Sequence, residues 1–326
     1  GRGRGRGRRD GGAGRGGRAA RVALVAQLFL QPSDALLELP TEAGRTPYLP
    51  PNTDLSVGTG CGGYECKVAM ETDYQLFQVF GNLNAMTTYV TTLLAYGSSR
   101  YVGQINTTLV YPYLQFYTSS SDPWGTQDSG GSSVDLLYEF QAAWAGNVPN
   151  NCVLGHFLSG AGLGGGVAWL DVLCNNTYNF GVSGNINGNL NFPVVQAPDQ
   201  WDAMVWLHEI GHNFDALHTH DYCPPLDECA PSGYFGSCQN QQNCTNQGTI
   251  MSYCHLCSGG TANVTTYFHT TSVSYMQAAA AGCLPSMVPI TVDPPTLSPP
   301  ATPITVTAII TGTPLVGTYP EVFYGY

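Results

Sequence analysis

His208, Glu209, His212 and His218 stand together in the segment Trp206-Leu-His-Glu-Ile-Gly-His-Asn-Phe-Asp-Ala-Leu-His218. Imidazoles and a carboxylate at this spacing are the ingredients of a metal site. A helix turns about 100° per residue, which puts His208 and His212 about 40° apart and about 6 Å along the axis, so both rings can reach one ion. Glu209, beside the first ligand, can aim its carboxylate at a metal-held water without being a ligand. Once the chain leaves the helix, His218 can swing back as a third nitrogen donor. Three histidines leave a fourth position open to water, the arrangement of a catalytic rather than a structural zinc. The competing reading is a pair of ordinary helix histidines. It is weakened by His218 and by Thr249-Ile-Met-Ser-Tyr253, a tight segment whose Met251 falls 33 residues after His218.

Such a site needs a helix to carry it and a sheet to hold that helix. Asp199 is suited to cap the helix, with Asp202 three residues on in a variant of the capping box. Upstream, Lys67–Glu71 reads as a strand. Residues 73–96 read as one helix with Leu76, Phe80, Leu83, Val90 and Leu94 on a single face. Thr108–Tyr117 reads as a strand in which Pro112 marks an edge or bulge. A helix follows over 133–145, capped by Ser132 or Ser133, with Leu137, Phe140 and Trp144 inward. Residues 152–158 and 167–174 read as strands joined by a glycine-rich loop at 159–166. That loop lacks the Gly-Lys-Ser/Thr of a P-loop and is better taken as a turn or bulged edge than as a nucleotide cradle. The order of elements is α/β or α+β, with a Cys-rich, helix-poor section over 219–265.

Composition sets the outer limits. The chain has 326 residues, 43% hydrophobic and 10% charged, too apolar for a disordered protein. No apolar run approaches the 18 to 20 or so residues of a membrane-spanning helix. Eight of the eleven basic residues are arginines in 1–21; beyond them, three basic and twenty-one acidic residues give −18. A folded part so charged repels phosphate backbones, so no nucleic-acid partner is expected for it, and RNA binding would have to work through the Gly-Arg tail. Six of eleven cysteines fall between Cys223 and Cys257, which reads as disulfides in an oxidising compartment; six cysteines allow 15 pairings. Cys254-His-Leu-Cys257 belongs to that cluster rather than to a zinc knuckle. Sequons at Asn106, Asn175, Asn243 and Asn263 agree with an extracellular or lumenal glycoprotein. The expected layout is a disordered Gly/Arg-rich tail at 1–21, a pro-segment remnant or linker at 22–63, a folded domain at 64–284 and a Pro/Thr-rich linker or stalk at 285–326.

The histidine helix, the third histidine and the Ile-Met-Ser segment resemble the metzincin zinc endopeptidases, whose extended motif H-E-x-x-H-x-x-G-x-x-H is followed by a Met-turn. His-Glu-Ile-Gly-His-Asn-Phe with Ile-Met-Ser is most similar to the adamalysin (reprolysin) branch. The resemblance spans about residues 64–283. It implies a twisted, mostly parallel sheet with one antiparallel edge strand, for which 164–173 is the candidate, and long helices. It implies one catalytic Zn2+ held by His208, His212 and His218, with Glu209 as general base and Met251 in the Met-turn, and it leaves calcium open. A secreted, zinc-dependent endopeptidase acting on proteins or peptides follows, the alternative being a catalytically silent binding or adhesion module on the same fold. Asp215 stands where the family has glycine. Asp is among the few other residues that visit a left-handed conformation, at a cost of about 1 kcal/mol, and its carboxylate could orient a ligand histidine. Tyr253 resembles a tyrosine near the zinc in some metzincins, but a packed core role is the one favoured for it. His220, His255 and His269 fit no ligand spacing and are expected at surface or supporting positions. Cys61, in Gly-Cys-Gly-Gly63, is either half of a disulfide, with Cys66 for instance, or a thiol able to take the open zinc position.

Overall fold

The computed structural model describes residues 63–234 and 241–287, and beyond them short strands at 24–25, 290–292 and 308–310. The strands are β1 (Leu24–Val25), β2 (Tyr64–Thr72), β3 (Thr107–Leu114), β4 (Leu154–Leu158), β5 (Gly166–Trp169) and β6 (Phe180–Ser183), with β7 (Ile290–Val292) and β8 (Ala308–Ile310) paired apart from the rest. The main sheet has the order β1-β5-β6-β4-β2-β3. Pairings β2 with β3, β2 with β4 and β4 with β6 are parallel, and β5 alone of the core strands turns antiparallel, against β6. Every residue of β4, β5 and β6 is buried, as strands covered on both faces must be.

The expected parallel sheet with one antiparallel strand is present, with differences in detail. The antiparallel strand is confined to Gly166–Trp169, because Asp171 and Cys174 adopt positive φ and turn the chain away. Its outer side is paired with β1, Leu24 opposite Trp169 and Val25 opposite Ala168. Strand β6 was not anticipated. Pro112 sits in the edge strand β3, where the register with β2 jumps from Lys67–Val110 to Ala69–Tyr113. A residue without an N–H is tolerated at such a slip.

The helices are α1 (Tyr74–Phe80), α2 (Leu83–Ile105), α3 (Ser133–Trp144), α4 (Trp201–Asn213) and α5 (Thr270–Cys283). The single helix expected over 73–96 is two. Gly81 takes φ 62° and the Asn82 side chain accepts from Ala85 N, so the chain stops and restarts. Helix α2 then continues past Tyr96 to Ile105. Gly97 lies in that continuation, and a Cβ there would be 1.6 Å from the Trp206 ring, so α4 packs directly on the α2 backbone. Helix α3 has the expected start, a capping box between Ser132 and Asp135.

Helix α4 does not start as expected. Gln200, not Asp199, is its N-cap residue and makes no side-chain cap. Asp199 is drawn to Asn191, whose Nδ2 donates to it, and Asp202 accepts from Tyr89 Oη and the backbone of Asn187 and Gly188. Two apolar layers flank the sheet: α2 and α4 with Leu93, Trp206, Ile210 and Phe214 on one side, and α3 with Leu136, Leu137 and Phe140 against Phe157 and Phe180 on the other.

Disulfides join Cys174 to Cys283, Cys229 to Cys254 and Cys244 to Cys257, and Cys223 is also disulfide-bonded. The first ties the end of α5 to the turn after β5; the others staple the helix-poor section. Cys66 and Cys152 are free and buried, which rules out a Cys61–Cys66 bridge. Cys61 itself and the Gly-Arg tail lie outside the described residues.

Candidate metal centre

Every residue of α4 from Asp202 to Asn213 is buried, because the helix is enclosed by the sheet on one side and by α2 and the 249–268 segment on the other. Two imidazoles on such a helix must find partners there. His208 Nδ1 meets the Ile250 carbonyl at 2.7 Å, and His212 Nδ1 meets the Ala216 carbonyl at 2.7 Å. A carbonyl only accepts, so both rings carry their proton on Nδ1 and turn a bare Nε2 lone pair inward. The turn that supplies Ala216 depends on Asp215, which takes φ 73°, the left-handed conformation that the motif glycine would adopt. Its N–H bonds to His212 O and that of Ala216 to Gly211 O. His218 then returns to the helix, its ring 4.6 Å from that of His212 and 5.2 Å from that of His208.

His212 Nε2 and His218 Nε2 are 3.1 Å apart, and His208 Nε2 is buried with no hydrogen-bond partner. His218 Nδ1 faces the Asp221 carboxylate at 3.3 Å. Three buried ring nitrogens thus converge; those of His208 and His212 are bare lone pairs, and His208 Nε2 has no partner. A cation between them would satisfy all three once His218 is protonated on Nδ1, so the residues present fit a metal ion. Burial, with the neighbouring imidazoles, pushes the His212 and His218 pKa values well down, and burial takes His208 down to about 4. The rings are neutral at pH 7, the form a metal requires. Imidazole donors with no thiolate suit zinc among several divalent transition metals.

Glu209 is buried beside them with neither carboxylate oxygen hydrogen-bonded, and burial raises its pKa well above the ordinary carboxyl range. It faces β5. A Cβ on Gly166 would lie 2.5 Å from Glu209 Oε1, so only a glycine lets the strand pass this close. Met251 lies beneath the helix, its sulfur 2.7 Å from where a Cβ on Gly211 would stand, and its carbonyl accepts from Thr219 N. Tyr253 is both core residue and neighbour of the site: it is fully buried and its ring centre lies 4.5 Å from that of His218.

Of the remaining histidines, His269 caps α5 through a bond from Thr271 N, and His255 packs on Trp201. His220 is not at the surface. It is buried and stacked on His218, ring centres 5.0 Å apart and planes 7° from parallel. The contributions of Asp221 and Gly166 were missed in the sequence because neither belongs to the motif, whereas His220 takes the supporting one of its two expected positions. The sulfurs of Cys229, Cys254 and Cys257 also cluster, but they are disulfide-bonded and cannot serve as thiolates. A crevice of about 430 Å³ opens beyond the carboxyl ends of β4 and β6, between Val79, Gly162, Asn187 and Trp201.

The family model for metallo-peptidase family M12 matches residues 63–268, which contain all of this machinery. The chain belongs to that family. No curated protein matches it. Among solved structures it is similar to metalloproteinase-II from Bacteroides fragilis, at 14% identity and TM-score 0.38, over 68% of this chain and 55% of that one. A structure described as a chaperone-substrate complex matches at 11% identity and TM-score 0.38, over 68% of this chain and 35% of that one. The chain therefore spans well under two-thirds of either. As an M12 metallopeptidase, it carries the metzincin-like metalloprotease domain that the motif implied, on a mixed α/β fold with a disulfide-stapled section.

Proposed function

We propose that this M12 metallopeptidase is a secreted zinc endopeptidase in which His208, His212 and His218 hold the ion and Glu209 is the general base. The observation that supports this most is the juxtaposition of three convergent histidine nitrogens with a carboxylate that has no partner of its own. When bound, zinc supplies Lewis acidity that makes a water acidic near neutral pH and polarises a carbonyl. Glu209 takes a proton from the attacking water and passes it to the departing amine, so the peptide bond breaks as one water is added.

An extended peptide lies antiparallel along β5, in the place where β1 pairs, with main-chain bonds to a strand whose first residue, Gly166, passes beside Glu209. Running antiparallel, its residues beyond the scissile bond head towards the start of β5 and the crevice near Gly162. Met251 supports the ligands from below as the Met-turn residue. Disulfides and an exposed sequon at Asn106 support secretion and glycosylation. No helix among the described residues is long and apolar enough to cross a membrane.

A quenched peptide library, assayed with and without a chelator, tests the reading. Chelator-sensitive internal cleavage that Glu209→Ala abolishes is the expected result. A chain that binds zinc yet cleaves nothing would instead be a silent binding module.

A further inference from the structure

The three histidines are not oriented alike. His208 and His212 hand their Nδ1 protons to backbone carbonyls, of Ile250 and Ala216, which no side-chain change can remove. His218 instead faces a carboxylate, Asp221 Oδ2, at 3.3 Å. The second oxygen of the same carboxylate lies 3.7 Å from His220 Nε2. We propose that Asp221 is a positioning residue for the metal site, holding His218 in its Nδ1-protonated tautomer with Nε2 aimed at the ion; this rests on the zinc reading above.

The local chain is built to keep that carboxylate in place. Residues Thr219–Asp221 form a single 3-10 turn, in which Asp221 N donates to His218 O at 3.1 Å. Thr219 N is tied to Met251 O at 3.1 Å, so the turn is fixed to the segment beneath the site. His220 lies flat against His218 and closes off its other face. A carboxylate accepting the remote N–H of a ligand imidazole fixes the ring's orientation and makes the other nitrogen a stronger donor. It also adds negative charge beside a divalent cation. The side chain of Asp221 is 42% exposed while that of His218 is 4% exposed, so the carboxylate reaches from the rim inward to a buried ligand. Asp215 and Tyr253, the supporting residues suggested by the sequence, are also close by: Asp215 shapes the turn through its left-handed backbone and Tyr253 packs on the His218 ring.

The test compares wild type with Asp221→Asn, Asp221→Glu and Asp221→Ser in the full chain. Metal affinity is read by chelator competition with Zn2+, and ligand geometry by the visible spectrum of the Co2+-substituted protein. Asp221→Asn is expected to weaken zinc retention about 10- to 100-fold and to shift the cobalt bands. Asp221→Glu, which keeps the charge, is expected to recover part of both. The melting temperature of the metal-free protein should stay unchanged, because the substitution is at a half-exposed side chain. Wild-type affinity and spectrum in Asp221→Asn would overturn the proposal. So would a metal-free melting temperature that falls along with affinity in both Asp221→Asn and Asp221→Ser, since Asp221 would then serve the fold. A wild type that binds metal but cleaves no peptide would refute the endopeptidase reading and leave this test intact. A wild type that binds neither Zn2+ nor Co2+ would remove both.

Discussion

Asp73 and Glu209 are both buried carboxylates, and the fold treats them in opposite ways. Asp73, at the end of β2, accepts from Leu76 N at 2.7 Å, Gln127 Nε2 at 3.1 Å, Gly160 N at 3.2 Å and the Ser159 hydroxyl. It caps α1 and ties together three loops at the carboxyl ends of the strands. Glu209 accepts from nothing among the described residues. A buried carboxyl without a partner costs folding free energy, whereas one fully hydrogen-bonded can return it. A chain that satisfies one such group four times over and leaves the other bare has kept the bare one for something from outside. Glu71 stands between them: Trp124 Nε1 donates to it at 3.2 Å, yet burial still raises its pKa to about 7.

The largest effects should come from the metal centre. His212→Ala leaves two imidazoles and should lose both zinc and peptide hydrolysis, as metal analysis and the peptide assay would show. Glu209→Ala should keep the metal and lower kcat by about 100- to 10,000-fold. Chemical denaturation should find the metal-free variant no less stable than wild type, because a group with no partner is being removed. Asp73→Ala should do the reverse. It strands four donors and should cost about 3 kcal/mol in denaturant unfolding while leaving the cleavage of peptides by the remaining folded protein nearly unchanged. Equal stability losses in the two variants would break the contrast between them.

Glu71 sharpens it through pH. Its pKa of about 7 in the fold compares with 4.5 for an ordinary glutamate, so the folded state holds the proton more tightly. Its contribution to stability is full below pH 4.5 and is lost as pH rises to 7 and beyond, by about 3 kcal/mol at most. Glu71→Gln should flatten the fall in melting temperature between pH 5 and 8 and make the protein more stable at pH 8. A variant with the wild-type pH profile would show that Glu71 is stably ionised.

The site was more legible than the fold around it. Helical spacing alone places His208 and His212 on one side of α4, and the third histidine completes the set, because a metal site constrains residue types at fixed intervals. Elements without such constraint were harder to see. Strand β6 is only Phe-Gly-Val-Ser, four residues with a central glycine. Helix α5 begins Thr-Thr-Ser-Val-Ser, a run of poor helix formers, and ends in an alanine-rich stretch with little difference between its faces. The break at Gly81 was hidden because apolar residues keep their helical spacing across it. Asp221 could have been noticed as an acid three residues beyond the third histidine, but no rule of spacing requires one there; contact across a 3-10 turn is what brings it to His218.

The smallest expected effect is at Asp215, whose left-handed conformation was anticipated from the motif and is present at φ 73°. What matters there is the turn that brings the Ala216 carbonyl to His212 Nδ1 and sends the chain back to His218. Asp215→Gly relaxes the backbone and should stabilise the protein by about 1 kcal/mol or less, with zinc affinity and kcat close to wild type. Asp215→Val should lose stability by more than that, because a β-branched residue resists positive φ. With the turn disturbed, His212 loses its carbonyl partner, so zinc retention should fall with stability. If Asp215→Gly itself abolished hydrolysis while the fold and the metal remained, the carboxylate rather than the backbone would be the functional part. Asp215 would then join Asp221 as a side chain acting on the ligands.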